Sequence, residues 1–302
     1  YSLNFEYSEE INISSGFSYK RSNRNSPIKS TLSINDNIGN FDIYTFDLSL
    51  IYDTRNDFLY PTNGVLNSVY FEYSPEDISD DSYYKLLARS DLYLKSKNSN
   101  RFIFLSNDIG VADALSNKLK TTHAFSLGGL NFKGFDYRGI GPKVDNIYLG
   151  GNKFFTSTIG IGGSFLFDDK DNISTKLFYS LGSIWDSDYT SQDNLDIRSS
   201  VGISFDILTA IGPISFSYAI PIDKNTDDRT REFNFSIGTS FWLSMLKFSR
   251  RNFFTIKNSI SSYDIAKIIK NNIIDQRDNK KFQIFEISSL KNYRENSILF
   301  LD

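Results

Sequence analysis

The sequence predicts an all-β fold: about eleven strands of a transmembrane antiparallel β-barrel, with a small α+β tail behind them. Three observations lead there. Segment after segment alternates Phe, Tyr, Ile or Leu with Ser, Thr, Gly or a charge, the period of a strand whose two faces meet different surroundings. The minor face is too charged for a dry core, which suits a wet lumen opposite lipid. The mean hydropathy is −0.32. No run long and apolar enough for a spanning helix occurs, and a barrel needs none, because only alternate residues must be apolar.

The elements follow in order. Leu3, Phe5 and Tyr7 alternate with Ser2, Asn4 and Glu6, and a second strand covers 13–19 after a turn near Glu9-Glu10. Residues 21–40, rich in Ser, Asn, Asp and Gly, read as a long loop. Tyr44, Phe46, Leu48, Leu50 and Tyr52 form the next strand, closed by a turn through Asp53, Arg55, Pro61 and Gly64. Strands at 65–73, 83–95 and 101–111 follow; in the middle one Leu86, Leu92 and Leu94 oppose Lys85, Arg89 and Asp91. A long Gly-rich connection covers 112–150, and further strands are expected at 153–167, 173–185, 195–208, 213–222 and 231–241. In the last of these Phe233, Phe235, Ile237 and Phe241 share one face, and Gly238 leaves a gap in the side-chain ladder.

Composition excludes several chemistries. Cysteine is absent and His123 is the only histidine, so neither disulfides nor a histidine metal cluster is expected. A lone loop histidine reads as a solvated polar residue. The net charge of −3 gives no case for nucleic acid. Neither a nucleophile elbow nor a phosphate loop is present, so the chain reads as no enzyme and needs no cofactor. The acid pairs Asp168-Asp169 and Asp227-Asp228 read as solvated turn residues. The first residue, Tyr1, already sits inside a strand pattern, and an open sheet would leave edges exposed to lipid. The expectation is a barrel fragment whose earlier strands precede this sequence.

The long connection holds Leu127-Gly128-Gly129-Leu130-Asn131-Phe132-Lys133-Gly134-Phe135-Asp136-Tyr137-Arg138-Gly139-Ile140-Gly141-Pro142. Its glycines permit positive φ and close backbone approach, so the loop is able to fold compactly. Lys133 and Arg138 are expected to reach lumenal acids such as Asp91 or Asp206.

At these residues the chain resembles the BamA family of outer-membrane insertases and its two-partner-secretion relatives. The carriers are Gly128 and Gly129, the motif Phe132-Lys133-Gly134-Phe135, Arg138, and Ile140-Gly141-Pro142. The turn signature Asp53, Arg55, Pro61 and Gly64 and the terminal strand ending at Phe241 also match. The resemblance covers roughly residues 1–241. It implies the C-terminal part of a barrel of about sixteen strands, in the outer membrane, with the glycine loop folded into the lumen and a weak seam at 231–241. It implies a role in folding and inserting β-barrel proteins, with nascent outer-membrane proteins, periplasmic assembly lipoproteins and outer-membrane lipid as partners. The alternative is a two-partner-secretion or autotransporter-assembly pore. One departure stands out: the motif arginine is Lys133, and the positions that match its acidic partners are Gly160 and Ser180. A lysine keeps the charge but not the bidentate fork, so the loop contact is expected to be weaker or made elsewhere, with Arg138 as a candidate substitute.

Residues 242–302 shift to Lys, Asn and Ile. Ser261-Ser-Tyr-Asp264 resembles a capping box ahead of a short helix carrying Ile265, Ile268 and Ile269, and a strand is expected over 281–287. From Met245 this tail resembles the N-terminus of the LpxD acyltransferase family, whose catalytic part is lacking, so no acyltransferase activity is expected. A cytoplasmic enzyme segment behind an outer-membrane barrel suggests two adjacent genes read as one.

Overall fold

The computed structural model describes residues 2–24, 37–58, 60–97, 101–144, 146–163, 173–191, 194–209 and 212–237, and short strands between 260 and 300. Tyr1–Phe241 forms one unit and Trp242–Asp302 another.

The first unit is built on one sheet of eleven antiparallel strands, each paired with its neighbour in chain order. They are β1 (Ser2–Glu6), β2 (Ile11–Arg24), β3 (Gly39–Asp53), β4 (Gly64–Ser74), β5 (Tyr83–Lys95) and β6 (Phe102–Ala114). After the long loop come β7 (Lys153–Gly163), β8 (Ile173–Trp185), β9 (Arg198–Thr209), β10 (Gly212–Asp223) and β11 (Phe233–Ile237). The count and the all-antiparallel order are those the alternation predicts.

The period-two pattern sorts the side chains onto two faces. Leu48, Leu50, Leu94, Ile103, Ile109, Ile159 and Ile161 lie on the outer face, each between 44% and 55% exposed. A sheet face this apolar and this open is made for lipid. The inner face carries Ser49, Asp91, Thr156, Ser180, Ser200, Ser204 and Ser217, all buried. The apolar core lies between this inner face and the long loop. Leu127, Phe132, Phe135 and Ile140 of the loop pack with Phe154 of β7 and Ile184 of β8.

Most strand limits shift by one to three residues, among them β6, which runs to Ala114 into the expected 112–150 connection, and β9, which begins at Arg198 instead of 195; larger differences lie at two places. β2 runs on to Arg24 and β3 begins at Gly39, so both ends of the expected 21–40 loop are strand; Ser22, Asn23 and Arg24 pair with Phe41, Asn40 and Gly39. At the other end of the sheet, Thr230 and Arg231 do not join β11. They pair instead with Phe135 and Gly134 of the loop.

In the second unit, Ile260–Ser261 pairs with Gln283–Ile284, and Glu286–Ser289 runs parallel to Ser297–Phe300. The helix expected at 264–269 lies outside the described residues.

Candidate functional site: the inward-folded glycine loop

The connection between β6 and β7 lies against the inner face, and its backbone explains how. Gly128 has φ of 115°, and a Cβ there would drive into the Asp136 carbonyl. Gly141 has φ of 102° and sits on the Ile184 side chain. Only glycine takes both the left-handed conformation and the close approach. Asn131 clips the turn: its Oδ1 accepts from Gly128 N–H at 3.0 Å, and its Nδ2 donates to the Ser126 carbonyl at 3.0 Å. Phe132 and Phe135 stack at 5.1 Å with an interplanar angle of 7°.

The tip is moored through its backbone. Beyond the Gly134–Phe135 ladder with Thr230–Arg231, Asp136 N–H donates to the Arg229 carbonyl and Arg229 N–H to the Gly139 carbonyl, each at 2.9 Å. Ser200 Oγ on β9 donates to the Lys133 carbonyl at 2.7 Å. The loop is thereby sewn to the stretch of chain that leads into β11.

The charges behave otherwise than expected. Lys133 is half-buried with its Nζ 5.0 Å from the centre of the Phe178 ring, and among the described residues it has no ion-pair partner. Burial pulls its ammonium down to about 8. Asp206, one of its expected partners, is held by Lys176 at 2.9 Å and by Ser215 at 2.6 Å. Asp91, the other, is held by Arg89 at 2.9 Å and by Ser106. Arg138 is no substitute either. Its guanidinium donates to the Leu149 carbonyl at 3.0 Å, and its Nε is buried without a partner. Where relatives are expected to carry acids, Gly160 lies under the Phe104 ring and Ser180 Oγ meets Thr158 Oγ1 at 2.9 Å. The loop's motif cation therefore rests on an aromatic face, which attracts a desolvated cation through its quadrupole.

The start of the loop has a mooring the sequence did not suggest. Asp81, in the connection between β4 and β5, gathers Arg24 of β2 at 2.8 Å, His123 at 2.9 Å and Lys120. Arg24 and Lys120 both lie over the Phe41 ring. Burial alone would raise Asp81, but the hydrogen bonds from His123 and Lys120 and the charge of Arg24 outweigh it and hold the carboxyl well below the usual range. His123, expected to be solvated, is 13% exposed and stacks on Tyr83 at 4.2 Å. Burial lowers its pKa against the pull of Asp81. Asp228 is a second correction. It is 3% exposed and takes Arg198 in a two-point grip at 3.0 and 3.1 Å, whereas Asp227 is exposed and pairs with Lys143. Asp168-Asp169 lies outside the described residues.

The turn after β3 is a compact clip. Arg55 grips Asp53 at 2.8 and 2.9 Å, Pro61 is buried, and Gly64, with φ of 109°, presses on the Thr54 carbonyl. Asn56 was not singled out from the sequence, yet its Oδ1 accepts from Thr62 and Asn63 N–H and closes the turn. On β11, Phe233, Phe235 and Ile237 point to the outer face, with the Phe235 ring 5.0 Å from Phe216. Gly238 and Phe241 lie outside the described residues.

A meandering sheet with a lipid-type outer face, a polar inner face and a glycine loop folded against it defines an outer-membrane β-barrel of the kind that carries an internal loop. Residues 1–241 match the Omp85 superfamily domain, and the chain belongs to that superfamily. Among curated proteins it is similar to the outer membrane protein assembly factor BamA of Neisseria meningitidis serogroup B, 26% identical over 220 residues, 61% of this chain and 27% of that protein. Its fold is similar to the crystal structure of BamA from Haemophilus ducreyi lacking POTRA domains 1–3, with a TM-score of 0.69 at 21% identity, covering 78% of this chain and 52% of the other. The chain thus spans about a quarter of the curated relative and about half of the solved one. It is an outer-membrane barrel chain.

Proposed function

We propose that this chain supplies the last eleven strands of an assembly barrel of about sixteen strands, which folds β-barrel proteins and inserts them into the outer membrane through a lateral seam at β11. The observation that carries this is the sewing of the loop to residues 229–231, immediately ahead of the seam strand. Among the described residues β11 pairs with β10 through Phe233 to Ile237, and its far edge carries no strand. An unpaired strand edge templates an incoming strand by β-augmentation.

The partners that fit are nascent outer-membrane proteins, periplasmic assembly lipoproteins and the lipid around the outer face. The loop motif Gly128, Gly129, Phe132, Lys133, Gly134, Phe135, Arg138, Gly141 and Pro142 acts as the internal support of the seam. The turn at Asp53, Arg55, Pro61 and Gly64 shapes the opposite rim. Phe233, Phe235, Ile237, Gly238 and Phe241 form the seam and terminal signal. Residues 242–302 take no part, and their resemblance to the start of an LpxD-type acyltransferase brings no acyltransferase activity.

The test is reconstitution of the full-length protein in lipid vesicles with a urea-unfolded outer-membrane barrel protein as client. Accelerated appearance of the folded, protease-resistant client supports the reading. No acceleration, together with vesicle leakage of a secreted partner, would favour the translocation pore instead.

A further inference from the structure

Beside the seam lies a cavity of about 510 Å³ between the loop and the terminal strand, lined by Gly129, Leu130, Tyr137, Arg231 and Asn234 together with the strand residues Phe233 and Phe235. That volume is within the range of specific ligand pockets. Asn234 lies on the inner face of β11, is 5% exposed, and its Nδ2 has no hydrogen-bond partner, even though Ser217 sits directly across from it on β10. An unsatisfied buried donor carries a desolvation cost that a ligand acceptor removes. Arg231 is already neutralised by Asp136 at 2.7 Å, so the cavity does not call for an anion. Among the described residues β11 has one strand neighbour, β10, and its other edge faces away from the sheet.

We propose that this cavity is a side-chain pocket that reads one residue of the strand entering at the seam. This rests on the seam reading above. A strand added to the β11 edge places a side chain opposite Asn234 on the same face, about 5 Å away between Cβ atoms. In the pocket its oxygen accepts from Asn234 Nδ2, while its stem packs between Leu130 and Tyr137. The chemistry selects a neutral side chain with an acceptor oxygen on a long or aromatic stem, namely glutamine or tyrosine. Leucine leaves the Asn234 donor unsatisfied, lysine brings a donor against a donor, and a carboxylate is buried without a free cation.

The experiment uses the full-length protein in detergent and fluorescent peptides that alternate Ile with Ala, carry Lys at both ends, and vary one central inward position among Gln, Tyr, Leu and Lys. Gln and Tyr are expected to bind about tenfold tighter than Leu or Lys. Asn234→Asp, which replaces the donor with an acceptor, is expected to reverse that order in favour of Lys. Equal binding of all four peptides, or an order unmoved by Asn234→Asp, overturns the pocket and leaves the seam reading standing. Absence of binding by any peptide overturns both.

Discussion

The two moorings of the glycine loop differ in kind. Near its start, Lys120 and His123 join Arg24 around the single buried carboxylate of Asp81. At its tip, Lys133 has no ion-pair partner among the described residues, feels Asp206 only at longer range and rests over Phe178, while the backbone of residues 134–139 is laddered to 229–231. The comparison teaches that a charged motif residue does not by itself locate the electrostatic lock. In this chain the buried ionic cluster sits at the loop's start, and the tip is held mainly by backbone hydrogen bonds, with the more exposed Arg231–Asp136 pair beside them and the motif lysine in neither.

The largest effect expected from that contrast is at Asp81. Asp81→Ala leaves Arg24 and Lys120 buried without an anion, and about 3 kcal/mol of stability is expected to go, read as a lower unfolding temperature on gels and new protease cleavage near Thr121. Retention of full stability would show that the Asp81 cluster does not hold the start of the loop. Gly128→Ala comes next. The left-handed backbone and the clash with the Asp136 carbonyl are expected to cost about 2 kcal/mol and to expose the tip to protease. The two lysines then sharpen the contrast directly. Lys120→Met takes a hydrogen-bonded charge from Asp81 and is expected to destabilise by about 2 kcal/mol, whereas Lys133→Met removes a charge with no ion-pair partner among the described residues and is expected to stay within about 1 kcal/mol. Equal effects at the two sites would show that Lys133 is part of an ionic lock after all.

The smallest effect is pH dependence. His123 faces Asp81, Arg24, the stacked Tyr83, and Lys85, whose Nζ donates to the His123 carbonyl at 3.1 Å. Its folded pKa is lowered, so a released loop takes up a proton that the packed loop refuses. Stability is therefore present above the ordinary histidine pKa of about 6.5 and declines as pH falls below it. Asp81, whose folded pKa is also lowered, keeps its contribution until the pH approaches the ordinary carboxylate value of about 4. His123→Gln is expected to flatten the pH dependence of loop protection between about 7 and 5.5. An unchanged slope would remove His123 from the mooring.

Much of this was legible in the residues. The alternation over 83–95 and 173–185 marks β5 and β8 to the residue, because one face of each must be apolar. It fails at 21–24 and 39–40, where Ser, Asn, Arg and Gly leave the strand with two wet faces and the apolar period vanishes. The glycines of the loop were readable, since positive φ and close approach leave few other residues possible. The partners of its charges were not. Asp81, His123 and Arg24 lie far apart in the chain, and nothing local in Asp80-Asp81-Ser82 says which acid turns inward. Thr230 and Arg231 continue the strand pattern of 233–237, so only the fold reveals that they pair with the loop.

The loop tip is sewn to the approach of β11. The chain has no cysteine, so an introduced pair reports cleanly. Phe135→Cys with Thr230→Cys, placed in the full-length protein in outer membranes, joins two directly paired residues at a separation that suits a disulfide. The account predicts rapid, near-complete disulfide formation under mild oxidation, seen as a gel shift that reductant reverses, with little at the control pair Phe135→Cys and Ser8→Cys. Two thiols at 135 and 230 that stay free and react with a bulky maleimide would contradict it.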